Sequence, residues 1–348
     1  MGILIAILIF CGIVIFHEFG HFVVAKKNGV EVKEFMMGFG PKIFGVKRGE
    51  TLFTLRAVPL GGACVMADDT EEDAENPRAF RRKPAWRRLL IVGAGPFFNF
   101  LLAFVLAVIL TALIGVDRPV LTGTVDGLPA QAAGLQEGDE IVKLNHKPIH
   151  FTRELRLYLQ THGSQEMRVT YKRNGETYQT VMIPVYDADA GSYQLGITYS
   201  PFSERVGPLQ TLQYGWYEME YSVWSVVEGL RLLFTGGVTV NDLSGPVGIV
   251  KAIDETYTES NKAGGAFLVV VNMLNIAVLL SANLGVMNLL PIPGLDGGRL
   301  IFTTVELVTR KQLPVEKEGM INLIGMGVLF ALMIFIVAND VRKLMIGF

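Results

Sequence analysis

The N-terminal segment of this chain places three ionisable side chains directly after an almost unbroken run of about fifteen apolar residues. His17, Glu18 and His21 follow that run, and the apolar character resumes at Phe22. Ionisable groups at bilayer depth cost on the order of several kcal/mol unless they are paired or ligated. On a helix, two histidines four residues apart share one face, where both imidazoles can reach one metal ion and the intervening Glu can act as general base. The segment therefore predicts a membrane-spanning helix that carries a metal site.

The rest of the sequence is consistent with a membrane protein. The chain has 348 residues, of which 50% are hydrophobic and 18% charged. Three further apolar stretches, at 89–115, 266–290 and 320–338, are long enough to cross a bilayer core of about 30 Å at about 1.5 Å per residue. The first run lacks the preceding basic residues of a secretory signal. We therefore expect a polytopic α-helical membrane protein with about four transmembrane helices.

The distribution of charge predicts the topology. The net charge of −2 gives no electrostatic basis for nucleic-acid binding. Lys and Arg cluster at 26–27, 78–88 and 299–317, and the positive-inside rule places these loops in the cytoplasm. The segment between the second and third spans is then extracytoplasmic, in a multi-pass protein of the cell inner (plasma) membrane with its metal site toward the cytoplasmic side. Arg342 and Lys343 conflict with this topology, because they follow the fourth span on the expected outer side.

Residues 28–66 have the alternation and breaks of β-structure, with a turn expected at 47–50. Because this segment follows the predicted metal helix, we expect a membrane-associated hairpin or sheet beside the site. The edge of this sheet could pair with an added strand.

A soluble insert is predicted at 117–203, where hydropathy falls and short strands alternate with turns. Residues 128–141 within it resemble the signature of the PDZ family, an α+β fold, and only one such module is present. This resemblance implies either that the insert binds a peptide or that it gates access sterically, and the sequence favours neither. The aromatic-rich segment that follows, 204–262, predicts amphipathic helices on the outer membrane surface, because Trp and Tyr prefer the headgroup layer.

A third metal ligand is expected far along the chain, because hydrolytic zinc sites usually use three protein ligands. Pro291 and Pro293 should break the third transmembrane helix and expose backbone at membrane depth. Such backbone is tolerated only against protein or a wet cavity, where Asp296 would supply an anionic oxygen. The alternative for Asp296 is a turn or helix-capping acid. Asn288 is a candidate donor to a substrate carbonyl, although capping a broken helix would suit it equally well.

Taken together, the HExxH motif in the first span, the PDZ-like insert and the segment Asn288–Gly298 resemble the bacterial site-2 protease family of intramembrane zinc metalloproteases. The resemblance implies zinc ligation by His17, His21 and Asp296, with Glu18 as catalytic base. It also implies cleavage of single-span membrane proteins, either anti-sigma factors or remnant signal peptides. Two shorter motifs that look like the same family lie at 93–99 and 244–248.

Two other functions fit parts of the sequence. A non-enzymatic membrane adaptor would bind peptides through its PDZ module and keep the HExxH motif for structure. A zinc carrier is disfavoured, because few other ligands lie within the spans. The predicted segments are helix 1 (1–27), membrane sheet (28–66), cytoplasmic loop (67–88), helix 2 (89–116), PDZ domain (117–203), interfacial helices (204–262), helix 3 with the distal ligand (263–298), and a cytoplasmic loop with helix 4 (299–348).

Overall fold

The computed structural model divides the chain into two compact units. One comprises Met1–Leu106 with Gly236–Phe348, and the other Ala107–Thr235. The acidic residues 68–75, which follow the predicted membrane sheet, lie outside the described part of the chain. The structure describes residues 1–67, 76–163, 165–200, 203–239, 244–312 and 314–346.

Four helices of the described residues are long and apolar enough to cross a membrane, as the hydropathy pattern predicts. Each has the length that a bilayer requires, at about 1.5 Å per residue. A shorter helix, α7 (Asp296–Thr309), lies between the last two. The four are α1 (Gly2–Lys27), α2 (Ala85–Ile114), α6 (Pro246–Leu289) and α8 (Val315–Ile346).

The third of these helices consists of two helical parts joined across a kink. Helix α6 has 44 residues and includes the end of the segment expected to be interfacial. Its backbone is interrupted at Gly265, where φ is 62° and ψ is −153°. Only glycine adopts this conformation without strain, so the residue marks a kink between a polar first part and an apolar second part. The apolar part matches the span predicted at 266–290.

A long hairpin follows α1. Strands β1 (Val32–Arg48) and β2 (Thr51–Met66) pair from a tight turn next to Arg48 and Thr51, which confirms the turn expected at 47–50. Both strands bend, so that residues 34–37 are in register with 52–55 on one side and with 62–65 on the other. The run 62–66 therefore forms an outer edge of the sheet.

The base of this hairpin packs against α1 through aromatic rings. The ring centroids of Phe22, Phe35 and Phe53 lie 5.6–5.8 Å apart. Buried Val32 and Ile91 continue the apolar contact. Burial of rings at such distances stabilises beyond the area that it removes from water. The cluster therefore fixes the sheet beside the HExxH turn of α1.

The second unit contains the insert. Its largest sheet has the strand order β5-β4-β6-β7, with a further pair formed by β3 and β10 and another by β8 and β9. Helix α4 (Thr152–His162) covers a core of apolar side chains that includes Ile141, Leu144 and Val169. The strands are β3 (Leu121–Thr124), β4 (Glu140–Leu144), β5 (Lys147–Pro148), β6 (Met167–Arg173), β7 (Glu176–Met182), β8 (Val185–Asp187), β9 (Ser192–Gln194) and β10 (Ile197–Tyr199), and a short helix α3 (Pro129–Ala132) follows β3.

Asp139 explains part of the signature that precedes β4. Its carboxylate is fully buried and accepts two hydrogen bonds of 2.7 Å from Arg173, together with one of 2.8 Å from the amide of Gln136. Burial raises the pKa of this carboxyl, but the bonds from Arg173 and Gln136 outweigh burial and lower it overall. The acid thus ties the turn to the neighbouring strand.

Helix α5 (Pro208–Thr235) is the amphipathic helix expected after the insert. One face contacts the insert, where Tyr217 stacks on His150 at 3.7 Å between ring centroids and Glu218 pairs with Arg153. Another face leaves apolar side chains such as Leu209 and Trp216 exposed. Its placement on a membrane surface stays a prediction.

Candidate metal centre

Three ligand atoms converge where α1 meets the start of α7. His17 Nε2 and His21 Nε2 lie 3.1 and 3.2 Å from Asp296 Oδ2, and 3.3 Å from each other. The structure thus brings together the two histidines of the motif and the acid near the other end of the chain. No other group of three His, Cys, Asp or Glu side chains in the described residues has this arrangement.

The geometry fits a tetrahedral metal ion. With zinc bonds of about 2.0–2.1 Å, neighbouring ligand atoms lie about 3.3 Å apart. Asp296 Oδ2 is buried and makes no hydrogen bond within the described part of the chain, although both Nε2 atoms are close. Lone-pair atoms packed this closely need positive charge between them, which a divalent cation supplies. Two imidazoles and one carboxylate are also the ligand types that zinc uses in hydrolytic sites.

Asp296 reaches the site because α6 breaks before it. Leu290 is extended, with φ of −61° and ψ of 142°, and Pro291 follows. Gly294 has φ of 96°, a backbone conformation that favours glycine. The chain then turns into α7, whose first residue is Asp296. This is the broken helix that the two prolines predict.

The two glycines after Asp296 allow the first turn of α7 to pack closely on the break. A Cβ atom at Gly297 would lie 2.0 Å from the carbonyl oxygen of Leu290. A Cβ atom at Gly298 would lie 2.6 Å from the carbonyl oxygen of Ile292. Any larger residue would displace α7 and the ligand that it carries.

Helix α2 supplies the second layer of contacts. The carbonyl oxygen of Ile91 lies 2.8 Å from His21 Nδ1, and the side-chain nitrogen of Asn99 lies 3.1 Å from His17 Nδ1. Gly95 lies between them on the same face, and a Cβ there would lie 2.4 Å from His21 Nε2. The sequence resemblance at 93–99 marked this helix but assigned no role to Asn99. The signal that could have found it is a polar residue among apolar ones, eight positions after Ile91.

Glu18 lies beside the three ligands. Its Oε2 accepts a hydrogen bond of 2.9 Å from the backbone amide of Cys64, on the outer edge of β2. A Cβ on Gly62 would lie 3.3 Å from Glu18 Cγ, so the same edge also packs on the Glu18 stem. The predicted proximity of sheet and metal helix is confirmed.

A cavity of about 370 Å³ opens onto the ligands. Asn288, the predicted substrate-binding residue, lies near the end of α6 and lines this cavity. The guanidinium-bearing residue Arg299, one helical turn after Asp296, also lines it. Sequence reasoning treated Arg299 only as part of a basic loop. The cavity is therefore lined by the amide residue Asn288 and the cationic residue Arg299 beside the three ligands.

The chain resembles known proteins over nearly its whole length. The model of peptidase family M50 matches residues 5–332. A Clostridium acetobutylicum protein, provisionally named as a zinc metalloprotease, is 36% identical over 340 residues and covers 98% of this chain and 97% of its own. The zinc metalloprotease RasP of Bacillus licheniformis is 31% identical, covering 97% of this chain and 98% of its own. The regulator of sigma-W protease RasP of Bacillus subtilis is 30% identical, with 97% of each chain covered.

Among solved structures, a PDZ domain of an SdrC-like protein from Listeria monocytogenes is 21% identical over 24% of this chain and 87% of its own, with a TM-score of 0.22. The family match and the full-length relatives establish the family of this chain. The chain belongs to peptidase family M50, the site-2 protease family, and is an intramembrane zinc metalloprotease.

Proposed function

We propose that this protein hydrolyses peptide bonds within the transmembrane segments of single-span proteins, with Zn²⁺ held by His17, His21 and Asp296 and with Glu18 as general base. One observation carries the proposal: three ligand atoms from opposite ends of the chain lie within 3.3 Å of one another beside Glu18. An adaptor would have no need of this arrangement.

The residues around the ligands have distinct roles in this reaction. Zinc bound there supplies the Lewis acidity that makes water nucleophilic near neutral pH. Glu18 takes the proton from the attacking water and returns it to the leaving amine. Asn288, which lines the cavity, donates a hydrogen bond to the scissile carbonyl.

The edge of β2 at 62–66 is the proposed docking site for the unwound substrate. The amide of Cys64 points away from β1 toward Glu18, and by the two-residue period of a strand the amide of Met66 points the same way. A substrate strand paired here would regain hydrogen bonds lost on unwinding. Met66→Pro removes one outward amide and should slow cleavage, whereas Met66→Ala keeps it. Equal cleavage by both variants would argue against the clamp.

The substrate class follows from the site and from the relatives. A metal site carried on an apolar helix favours a substrate that is itself embedded in lipid. The Bacillus subtilis relative is named a regulator of sigma-W protease, which supports an anti-sigma factor as one substrate. Remnant signal peptides have the same single-span form. We propose both classes.

The insert at 117–203 is proposed to be a PDZ domain. A cavity of about 660 Å³ runs along α4 and the strand run 192–200, with Arg153, Arg156 and Gln160 on its helical side. The insert has two candidate roles, which are binding of a peptide in this cavity and steric gating of the membrane site. A bulky substitution at an exposed helical residue of the lining, such as Gln160→Trp, would narrow the cavity, and it should reduce cleavage only if a peptide must bind. If the insert is a gate, deletion of the whole insert should instead allow cleavage of substrates that still carry a large extracytoplasmic domain.

The proposed topology places residues 26–27 and 78–88 in the cytoplasm and the insert outside the cell inner membrane. Lys26 and Arg78 both pair with Glu50 at the end of α1, so these basic residues lie together at one end of the first span. Cysteines introduced singly at exposed positions of the insert and at position 27 should react from opposite sides of sealed vesicles. Labelling from the same side would refute the topology.

The proteolytic function is tested with purified full-length protein in detergent. Metal analysis should find about one zinc per chain, and a tagged single-span substrate should be cut inside its span by the wild type and not by Glu18→Gln. Zinc without cleavage would favour an adaptor or carrier. Cleavage outside the span would assign the activity to a different bond.

A further inference from the structure

The side chain of Asn99 makes a contact with His17 that is chemically incomplete. Its nitrogen Nδ2 lies 3.1 Å from His17 Nδ1. Its oxygen Oδ1 is buried and has no hydrogen-bond partner among the described residues, and Asn99 itself has no solvent exposure. A buried amide oxygen without a donor is uncommon and needs an explanation.

Zinc binding makes this contact unfavourable as it stands. A histidine that ligates through Nε2 uses the lone pair of that atom, so the ring proton resides on Nδ1. Nδ1–H is then a donor that faces the donor NH₂ of Asn99. Rotation of the amide by about 180° exchanges Oδ1 and Nδ2 with little movement of other atoms, and it gives the unpartnered oxygen its donor.

We propose that Asn99 is the positioning residue for His17, with Oδ1 accepting the hydrogen bond from His17 Nδ1–H when the metal is bound. The inference rests on the proposed ligation of zinc by His17. Asn99 then holds the proton on Nδ1, leaves Nε2 free for the metal and fixes the plane of the ring.

His21 supports this assignment independently. Its Nδ1 lies 2.8 Å from the carbonyl oxygen of Ile91, an atom that can only accept. His21 is therefore already in the tautomer that leaves Nε2 free. Ile91 and Asn99 are two α-helical turns apart on α2, so one helix face serves both imidazoles, once through a carbonyl and once through a side chain.

The backbone at Asn99 is anchored as well. The carbonyl oxygen of Asn99 accepts a hydrogen bond of 2.8 Å from the hydroxyl of Ser281, a fully buried residue of α6. This bond connects α6 to the backbone of α2 at Asn99 but does not involve the imidazole of His17. Ser281 therefore provides a matched control for effects of packing alone.

The test measures zinc affinity of the full-length protein without substrate, by competition with a chelator. Asn99→Asp keeps an acceptor and removes the donor, whereas Asn99→Leu has similar volume and neither. We expect Asn99→Leu to weaken zinc binding by about 10–100-fold, the usual effect of losing such a partner. Asn99→Asp and Ser281→Ala should remain within a few-fold of the wild type.

The Asp variant distinguishes the two amide orientations. Zinc binding as weak in Asn99→Asp as in Asn99→Leu would show that Asn99 acts as a donor, and unchanged affinity in Asn99→Leu would show that it has no positioning role. Either result overturns the proposal. Thermal unfolding of the metal-free forms separates a folding defect from a loss of affinity. Because no substrate is present, zinc binding that follows these expectations in a protein without peptidase activity would refute the proposed function alone.

Discussion

The carboxylate of Glu18 accepts a hydrogen bond from the backbone amide of Cys64, at 2.9 Å. The proposed general base is therefore held by a backbone amide at the outer edge of the sheet. That amide is also one that an added substrate strand would use. Docking of a substrate and release of the Glu18 carboxylate toward the reacting water should consequently be coupled.

Substitution of Glu18 separates catalysis from docking. Glu18→Gln and Glu18→Ala should both lose at least about 10²–10⁴-fold in cleavage rate, the usual contribution of a general base, while zinc stays bound. Gln can still accept a hydrogen bond from the Cys64 amide, whereas Ala removes this acceptor. Capture of a tagged substrate should therefore be stronger with Glu18→Ala than with Glu18→Gln. Equal capture would show that the substrate does not use this amide.

Loss of Asp296 should remove the metal. Asp296→Ala deletes the only anionic ligand, and we expect it to lower zinc affinity by more than the roughly 10–100-fold typical of second-layer partners, with cleavage abolished. Metal analysis after dialysis measures the first effect. Glu316→Ala, which changes an exposed acid in the first turn of α8, is the control. Zinc retained in Asp296→Ala would mean that a different residue is the third ligand.

The site residues that could be predicted are those whose role follows from their spacing in the sequence. His17, Glu18 and His21 follow from the four-residue period of a helix, and Asp296 follows from prolines that end α6 before it. Asn99 stands out as a polar residue among apolar ones, but its role could not be assigned from the sequence, because that role depends on which face of α2 meets α1. Packing between helices fixes that face, and no local pattern in 93–99 specifies it.

The fold shows the same contrast between features set by local sequence and features set by tertiary packing. Hydropathy located the four long helices, and the turn chemistry at Gly49 and Glu50 located the hairpin tip. Hydropathy also located the apolar part of α6, whereas the contact that stabilises its first turn could not be predicted, because the partner Asp340 lies about ninety residues further along the chain. Likewise, the aromatic residues of α5 predicted a surface helix, but whether each ring contacts the insert or faces outward depends on tertiary packing.

Gly95 should be the residue of α2 that least tolerates a side chain. In Gly95→Ala the Cβ atom would lie 2.4 Å from His21 Nε2 and 2.6 Å from His17 Cε1, so the imidazoles must move. Zinc affinity should fall severalfold or more, and cleavage with it. Gly93→Ala is a matched control on the same helix, where the nearest atom is Leu300 Cδ2 at 4.0 Å. Ala is also the better helix former by about 1 kcal/mol, so the control should be neutral or slightly stabilising.

The pairing of Glu50 predicts a pH dependence of stability. Hydrogen bonds from Arg78 and then from Lys26 lower the pKa of Glu50 from 4.5 to about 2. A group whose pKa is lower in the folded state stabilises fully above its unfolded value, and the effect is lost as pH falls toward the folded value. The stability difference between wild type and Glu50→Gln should therefore be constant from pH 7 to 5 and close between about 4.5 and 2.

The difference should be small, because exposed ion pairs contribute about 0–1 kcal/mol. Thermal unfolding in detergent over this pH range measures it. In a background that carries Arg78→Gln and Lys26→Gln, the Glu50→Gln change should have little effect at any pH. A difference that persisted in that background would show that the ion pairs are not its cause.

Asp340 should stabilise the start of α6 from within α8. Its Oδ1 and Oδ2 accept hydrogen bonds of 3.0 and 2.8 Å from the amides of Gly245 and Gly248, and its side chain is buried. A Cβ at Gly245 would lie 2.8 Å from Asp340 Oδ2, which explains the glycine of the 244–248 motif. An anion at a helix N-terminus also interacts favourably with the helix dipole.

Asp340→Ala leaves two amide donors without their acceptor, which should cost about 1–3 kcal/mol of unfolding free energy for the buried amide of Gly245 and less for the half-buried amide of Gly248. Asp340→Asn keeps one acceptor oxygen and should lose less. Lys251→Ala, which removes an exposed partner of Glu255 on the same helix, should change stability by about 0.5 kcal/mol at most. Thermal unfolding of the three variants in one detergent gives the comparison. If Asp340→Ala unfolded at the same temperature as Lys251→Ala, water or lipid headgroups would have to satisfy these amides in place of the carboxylate. The glycine in the motif at 244–248 would then require a different explanation.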